Sequence, residues 1–454
     1  MSNVNEIGDN LYIADIQPGL QVTFELNTEV PKFEPIEANY QAPREISRPV
    51  GKNLNLKFAS WGKDNKLPNH IMKMVLNNNL APGSLDTKDH ITLGDQLVFY
   101  YNRFENGKKI PTPFEDPELE DWLEMMQVNE YMEEAVIDFD WLANFWAQPT
   151  FGKKGGNYQD KIVRINAVEA IDVRCGVMSE KSKRVEYYGV ADWTDTKKRE
   201  ISVYPAYNPD WEVGKMPRTF LMHLKKKTIG NPYYPLPNYI GAQHWLRHAN
   251  KIPIWKTNNM DNSMNLKYHV QVPEKYFITM YPDSQGFSAK DRRKKFEEKI
   301  KQISNMLSGA ENVGKAFASQ IMIDPQTGKE LPGWKIDKIP NDVNHEAYSK
   351  DYEDSNSAIL SAIAVDPSLS GVLVVGKMGA GSGSEKRLAY EFHAKVKTRY
   401  ARRLLLRPIQ TAMAINKYDR RTIEGQERKI FIGIQDVDFT TLDKNPTGSQ
   451  KVMQ

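Results

Sequence analysis

Gly376, Gly379, Gly381 and Gly383 fall in one short loop, after the apolar run 372–375 and before a helical pattern. A glycine loop between a strand and a helix is where phosphates bind, because unpaired amides at the helix start point at the anion. The residues between these glycines do not complete such a site. Lys377-Met378 follows Gly376, no Gly-Lys-Ser or Gly-Lys-Thr stands at P-loop spacing, and no G-x-G-x-x-G passes through these positions. What the glycines do supply is a backbone that takes positive φ or changes shape cheaply, which suits a moving part. Glu133, Glu134, Asp138 and Asp140 offer paired carboxylates of the kind that acid–base and metal chemistry use. Spacing alone makes no site, and they read as an acidic face, either solvated or turned to a basic helix. His244 and His248 stand one helical turn apart, but no Glu or Asp follows as in H-E-x-x-H, which leaves a metal's coordination sphere incomplete. Cys175 is the only cysteine, so no intrachain disulfide or cysteine-built zinc site can form. No nearby histidine and carboxylate mark it as a nucleophile. No catalytic residue, metal or cofactor is therefore expected.

The helix after the glycine loop must position it. Ser382 and Glu385 match a capping box, so the helix begins near Gly383. Leu388, Phe392, Val396, Tyr400 and Leu404 recur every four residues and predict the face that packs. Around them stand Lys386, Arg387, Lys395, Lys397, Arg399, Arg402, Arg403 and Arg407, with Glu391 the one acid after Glu385. The other face is cationic. Pro408 lacks an amide donor and disfavours helical geometry at Arg407, which predicts a kink before residues 409–418.

At 454 residues the chain has length for about three domain-sized units, and 40% hydrophobic residues suffice for real cores. A net charge of +3 is far below the excess of a protein that grips nucleic acid all over its surface. The N-terminus shows no signal-peptide pattern, and no apolar run approaches the ~20 residues that span a bilayer. Neither secretion nor membrane insertion is expected, and the lone cysteine suits a reducing cytosol.

Residues 1–50 carry Pro18, Pro31, Pro35, Pro43 and Pro49 and read as an extended arm that orders against a partner surface. Trp61-Gly62 marks a turn, Pro68 opens a helix through Leu76, residues 93–103 are strand-like, and Asn106-Gly107 is a hairpin turn. Residues 115–145 read as one helical stretch. Residues 161–210 read as a small antiparallel sheet, to which 220–225 add a strand. Residues 233–262 form a long helix interrupted at Pro253. Residues 268–340 read as an inserted α/β module, with strands at 276–281, 316–323 and 334–339 and a helix over 289–307. A helix returns at 345–364, and 429–439 alternate as a strand. The fold class expected is α+β.

The run Ile-Leu-Ser-Ala-Ile-Ala-Val-Asp-Pro-Ser-Leu-Ser-Gly at 359–371 is followed by Gly-Ser-Gly-Ser-Glu-Lys-Arg at 381–387 and Leu-Arg-Pro-Ile-Gln at 406–410. In type and order these runs resemble portal proteins of tailed bacteriophages and prophages. The opening W-G-x-D-N-x-L-P at 61–68 is similar to portals of Bacteroidetes phages. No catalytic signature defines that family, and the likeness is one of pattern and order over most of the chain.

The resemblance implies a non-catalytic homo-oligomeric ring, commonly of twelve subunits, assembled in the bacterial host cytoplasm and placed at one capsid vertex of the virion. Double-stranded DNA is packaged and ejected through it. It implies partners in the major capsid protein, the terminase large subunit and a head-tail adaptor, and none in a membrane. By the same resemblance the chain divides into an N-terminal arm (1–50), a wing (51–232), a first stem helix (233–264), an α/β clip (265–343) and a second stem helix (344–366). A tunnel loop (367–384), a long kinked helix (385–418) and a wing strand with a short tail (419–454) follow, leaving too few residues for a crown. Val375, Gly376, Lys377, Met378, Gly379, Gly381, Gly383, Ser384 and Lys386 are then expected to line the DNA channel. Neutralising about six to ten phosphates makes affinity vary by ~10³ to 10⁵ between low and moderate salt, and a ring would multiply those contacts until DNA stalled. Arg399, Arg402, Arg403 and Arg407 are therefore expected to pair with carboxylates of the same or a neighbouring subunit, with Glu133, Glu134 and Asp138 also between subunits. The rival readings are a nucleic-acid-processing enzyme whose basic helix holds substrate, and another head-tail connector protein. Two long helices bracketing an α/β insert favour the portal over both.

Overall fold

The computed structural model describes residues 4–8, 11–17, 20–25, 44–50, 54–194, 201–212, 214–263, 268–271, 281–295, 297–298, 335–338, 345–371 and 383–438. It is a mixed α/β chain in two compact units. One comprises Met1–Lys73, Leu85–His244 and Val365–Gln454, and the other Met74–Ser84 and Trp245–Ala364.

At the start, β1 (Val4–Gly8), β2 (Leu11–Gln17) and β3 (Leu20–Glu25) pair as an antiparallel meander. A hairpin of β4 (Glu45–Val50) and β5 (Leu54–Ala59) follows. Gly62 takes a φ of +84° in the expected turn, and α1 (Leu67–Leu76) carries Pro68 in its first turn, where no intrahelical donor is lost. Helix α2 (Ala81–Leu93) stops at Gly94, whose φ is +69° and where any Cβ would meet the Gln435 carbonyl. Only glycine allows the chain to turn there so close to a neighbouring strand. Strands β6 (Gln96–Glu105) and β7 (Lys108–Phe114) join through Asn106 and Gly107, whose φ values of 50° and 76° are both positive, as a type I′ turn requires.

The stretch read as one helix over 115–145 is two helices and the start of a strand. Asp116 caps α3 (Pro117–Met125), its carboxylate accepting from the Glu118 and Leu119 amides at 3.0 and 3.4 Å. Gln127 then takes a φ of 54° and separates α3 from α4 (Val128–Leu142), with Ala143 at 58° closing the second helix. Neither residue is a glycine or a proline, so no local signal marks the breaks. Strand β8 (Asn144–Phe151) begins at once, buried along nearly its whole length. A strand covered on both faces loses the alternation that identifies it, and β8 therefore reads as more apolar helix.

That hidden strand reorganises the sheet expected over 161–210. Strand β9 (Ile162–Val168) pairs with β8, whereas β10 (Val173–Cys175), β11 (Tyr187–Val190) and β12 (Ser202–Pro205) form a sheet of their own. Strand β13 (Met222–Lys225) takes the other edge of β8, so two three-stranded sheets stand where one was expected.

Beyond it, α5 (Gln243–Ser263) runs on through Pro253, after a 3-10 turn at Asn238–Ala242. The second unit pairs β14 (Tyr268–Gln271) with β15 (Lys335–Lys338), and residues 289–295 are helical. Most of the strand expected over 276–281, the strand over 316–323 and the helix past residue 298 lie outside the described residues. Helix α6 (His345–Ile363) stacks Tyr348 on Trp255 of α5, with ring centroids 4.2 Å apart.

The chain then enters α7 (Gly383–Phe392), a π-helical turn (His393–Lys397) and α8 (Arg399–Ile415). Strands β16 (Arg420–Ile423) and β17 (Gln426–Gln435) close the first unit, β17 pairing with β6 in the order β16-β17-β6-β7. The core gathers Leu119 and Trp122 of α3, Tyr131 and Ala135 of α4, Phe145 and Ile162 of the central sheet, and Leu405, Ile409 and Ala412 of α8. Each large apolar side chain fully buried there contributes about 1.5–3 kcal/mol. Among the described residues, no helix is long and apolar enough to cross a membrane.

Candidate functional site

The loop expected to line a channel is seen only at its end. Val375, Gly376, Lys377, Met378, Gly379 and Gly381 lie outside the described residues, as does Ser382 of the capping box. Gly383 opens α7 where the sequence placed the helix start, Ser384 follows it half-buried, and Lys386 is exposed.

The helix turns a different face to the core from the one expected. Leu388, Phe392, Val396 and Tyr400 are 59, 58, 54 and 38% exposed, and of the predicted stripe only Leu404 is buried. The buried residues are Tyr390, His393, Ala394, Thr398 and Ala401, leading into Leu405 and Ile409. Two stripes thus run along this helix at nearly the same spacing on opposite sides. Periodicity chose the bulkier one. The fold buries the smaller one, because alanine and threonine let the helix approach its neighbours closely. The departure from α-helical geometry also lies elsewhere than expected. The chain stays helical through Pro408, and the irregularity is the π turn, where the Thr398 amide donates to the His393 carbonyl at 3.2 Å and the Thr398 hydroxyl to the Ala394 carbonyl at 2.6 Å.

The charged residues divide by environment. Arg402 is spent inside the chain: its guanidinium donates to the carbonyls of Ile91 and Thr92 at 2.8 and 2.9 Å and lies 2.6 Å from Asp436, fastening α8 to the end of α2 and to the residue after β17. Arg387 pairs with Glu391 at 2.9 Å. Arg399, Arg403 and Arg407 are exposed, and among the described residues no carboxylate forms an ion pair with them. Arg403 lies over the Tyr400 ring, 5.2 Å from its centroid. Glu133 and Glu134 are exposed on α4. Asp138 is half-buried and accepts from the Ala170 amide at 2.9 Å, while burial holds its carboxyl well above the usual carboxylate range. Asp140, read from the sequence as part of the acidic face, is buried.

Asp140 belongs to a cluster the sequence did not reveal. Its carboxylate lies 2.7 Å from Lys88 Nζ, and the neighbouring Asp89 side chain hydrogen-bonds to it. Asp89, Asp140 and His393 are all buried, each with one polar atom lacking a partner among the described residues. Burial, and then the Asp140 charge, raise the Asp89 pKa far above the carboxylate range, so Asp89 is protonated at neutral pH. Burial pushes His393 down to about 4, helped by Lys88, so its imidazole is neutral. No spacing rule links residues 89, 140 and 393, and only the packing of α2 and α4 against the π turn brings them together.

A second constellation imitates a catalytic one. Cys175 Sγ lies 3.9 Å from His223 Nδ1, and His223 Nε2 is 3.0 Å from Asn144 Oδ1. Sequence reasoning missed this trio, which β8, β10 and β13 assemble. Its chemistry is inert. The thiol is fully buried, which pushes its pKa up to about 12, and burial holds His223 well below the usual imidazole range. The ring is also stacked on Trp146, with centroids 4.2 Å apart. The native thiol is expected to stay unlabelled by a thiol-reactive disulfide at neutral pH while denatured protein reacts fully. Rapid labelling of the native state would revive the nucleophile. Among the described residues, no group of three His, Cys, Asp or Glu side chains is arranged to hold a metal ion.

No protein-family model and no curated protein matches this sequence. Solved structures do. A chain in the "Neck of empty GTA particle computed with C6 symmetry" superposes with a TM-score of 0.52 at 14% identity, over 87% of this chain and 88% of that one. The fold is that of chains in phage-like gene transfer agent (GTA) particles. Another, from the "Virion of native gene transfer agent (GTA) particle", gives 0.53 at 14% identity over 89% and 88% of the two chains. A third, from the "Neck of native GTA particle computed with C12 symmetry", gives 0.53 at 13% identity over 88% of each. At such identity the likeness is one of fold.

Proposed function

We propose that this chain is a portal-type protein, a structural ring at the vertex of a phage-like particle through which double-stranded DNA is packaged and ejected. What carries the reading is the near-full-length likeness to chains of GTA particles, two of them from neck structures computed with C6 and C12 symmetry. The second compact unit contains nearly all of α5, all of α6 and the residues between them, as a clip carried on two stem helices would. On this reading residues 51–232 with β16 and β17 form the wing, 367–384 the tunnel loop, and α7 with α8 the long helix. The loop residues from Val375 to Ser384, with Lys386 behind them, face DNA. The partners are about eleven further copies, the major capsid protein, the terminase large subunit and a head-tail adaptor. Class averages of the purified chain in the electron microscope are expected to show rings with a central hole. A monomer at every concentration by light scattering, with no ring in any class, overturns the proposal. Shortening the glycine loop is expected to leave rings intact while lowering DNA packaging or retention.

A further inference from the structure

Two charged faces of the first unit are left without counter-charges, and the fold points them apart. One is the outer face of α7 and α8, where half-exposed Leu388, Phe392, Val396 and Tyr400 are rimmed by Lys397, Arg399 and Arg403, none paired with a carboxylate among the described residues. The other is the outer face of α4, where Glu130, Glu133 and Glu134 stand exposed beside Ile137, which is 50% exposed. It continues onto α3 through Asp121, Glu124 and exposed Met125, and residues 110–152 contain no lysine or arginine at all. Within one chain these faces do not meet. Helix α4 turns its opposite side to α8, where the Tyr131 hydroxyl donates to the Leu405 carbonyl at 3.0 Å. At 100° per residue, Glu130, Glu133, Glu134 and Ile137 lie on the far side of α4 from Tyr131, Ala135 and Phe139.

We propose that the basic, apolar face of α7–α8 on one copy receives the acidic face of α3–α4 on the next. This rests on the ring reading above and names the surfaces that would build the ring. Three observations favour a second copy over nucleic acid. The bulky apolar stripe has nothing to bury against on a phosphate backbone, whereas Ile137 and Met125 offer apolar surface inside the acidic face. The charges are complementary in sign, each face being strongly biased to one sign, which steers association and fixes register. The two faces are different patches of one molecule, so the contact is head-to-tail, the kind that closes into a cyclic ring.

The test uses the full chain and charge reversal at exposed positions. E133K/E134K and R399E/R403E are each expected to raise the concentration needed for assembly by at least about tenfold, and the four substitutions together in one chain to restore it. F392S/V396S is expected to weaken assembly while leaving the unfolding midpoint of the monomer unchanged, since neither side chain is in the core. If wild type assembles and both reversal variants assemble as well as it does, this interface is wrong while the ring reading stands. If R399E/R403E loses only binding to a DNA fragment and keeps assembly, the basic face serves DNA and the proposal is overturned. If wild type itself never assembles, the ring reading fails first.

Discussion

Replacing Arg174 with alanine is expected to cost ~3–5 kcal/mol of stability, the range for truncating a large, fully buried side chain to alanine. Arg174 is almost wholly enclosed, and its guanidinium donates at 2.6 Å to Asn65 Oδ1, at 2.8 Å to the Asn65 carbonyl, and at 2.8 Å to each of the Ile171 and Val173 carbonyls. It sits 5.5 and 5.4 Å from the ring centroids of Trp61 and Trp193. Burial lowers its pKa to about 10, so it stays charged at neutral pH with carbonyl dipoles and aromatic faces in place of water. Alanine would take the donors away from three carbonyls, leave Asn65 Oδ1 only its bond from the Trp61 amide at 2.9 Å, and open a void beside two tryptophans. Lysine is expected to recover only a small part of the loss, because one ammonium cannot span the fork that reaches Asn65 and the two carbonyls together. Urea unfolding followed by tryptophan fluorescence checks both. An alanine variant within about 1 kcal/mol of wild type would show the network to be dispensable.

The second large effect is one of pH. Asp89 keeps its proton in the folded state far above the pH at which an unfolded aspartate, with a pKa of about 3.9, gives it up. Between those limits the folded protein binds one more proton than the unfolded chain, so stability falls as pH rises, by up to ~1.4 kcal/mol per unit. His393 works in the opposite direction at acid pH. With its folded pKa at about 4 and an unfolded value near 6.5, it makes stability rise with pH through that interval. The two slopes oppose one another below about pH 6.5, which leaves the alkaline side as the window in which the carboxyls kept protonated by burial, Asp89 and Asp138, make stability fall with pH. Asp89→Asn, which mimics the protonated carboxyl, is expected to flatten the decline between pH 7 and about 9 and to leave the variant more stable than wild type at the upper end. Asp140→Asn is expected to destabilise, since it strands the Lys88 ammonium 2.7 Å away. An Asp89→Asn protein with an unchanged pH slope would mean that Asp89 does not hold its proton in the fold.

Local chemistry alone located the features that act over a few residues. The turn at Gly62, the hairpin at Asn106-Gly107, the helix start at Gly383 and the helix over 345–363 follow from φ preferences, capping and runs of apolar spacing, none of which needs a distant partner. The charge segregation between residues 110–152 and 386–407 is likewise written in the residue order. What the sequence could not decide is which of two equally periodic faces is buried. Leu388, Phe392 and Val396 make the stronger hydrophobic signal, yet Ala394, Thr398 and Ala401 pack, because the helix must lie close against its neighbours and small residues permit it. Gln127 breaks the 115–145 stretch without a breaker residue, and β8 hides as apolar helix because it is covered on both sides. The groups farthest apart in sequence were the least legible: Asp89, Asp140 and His393, and Cys175, His223 and Asn144, come together only when helices and strands pack, and burial then sets the protonation of Asp89, His393, Cys175 and His223.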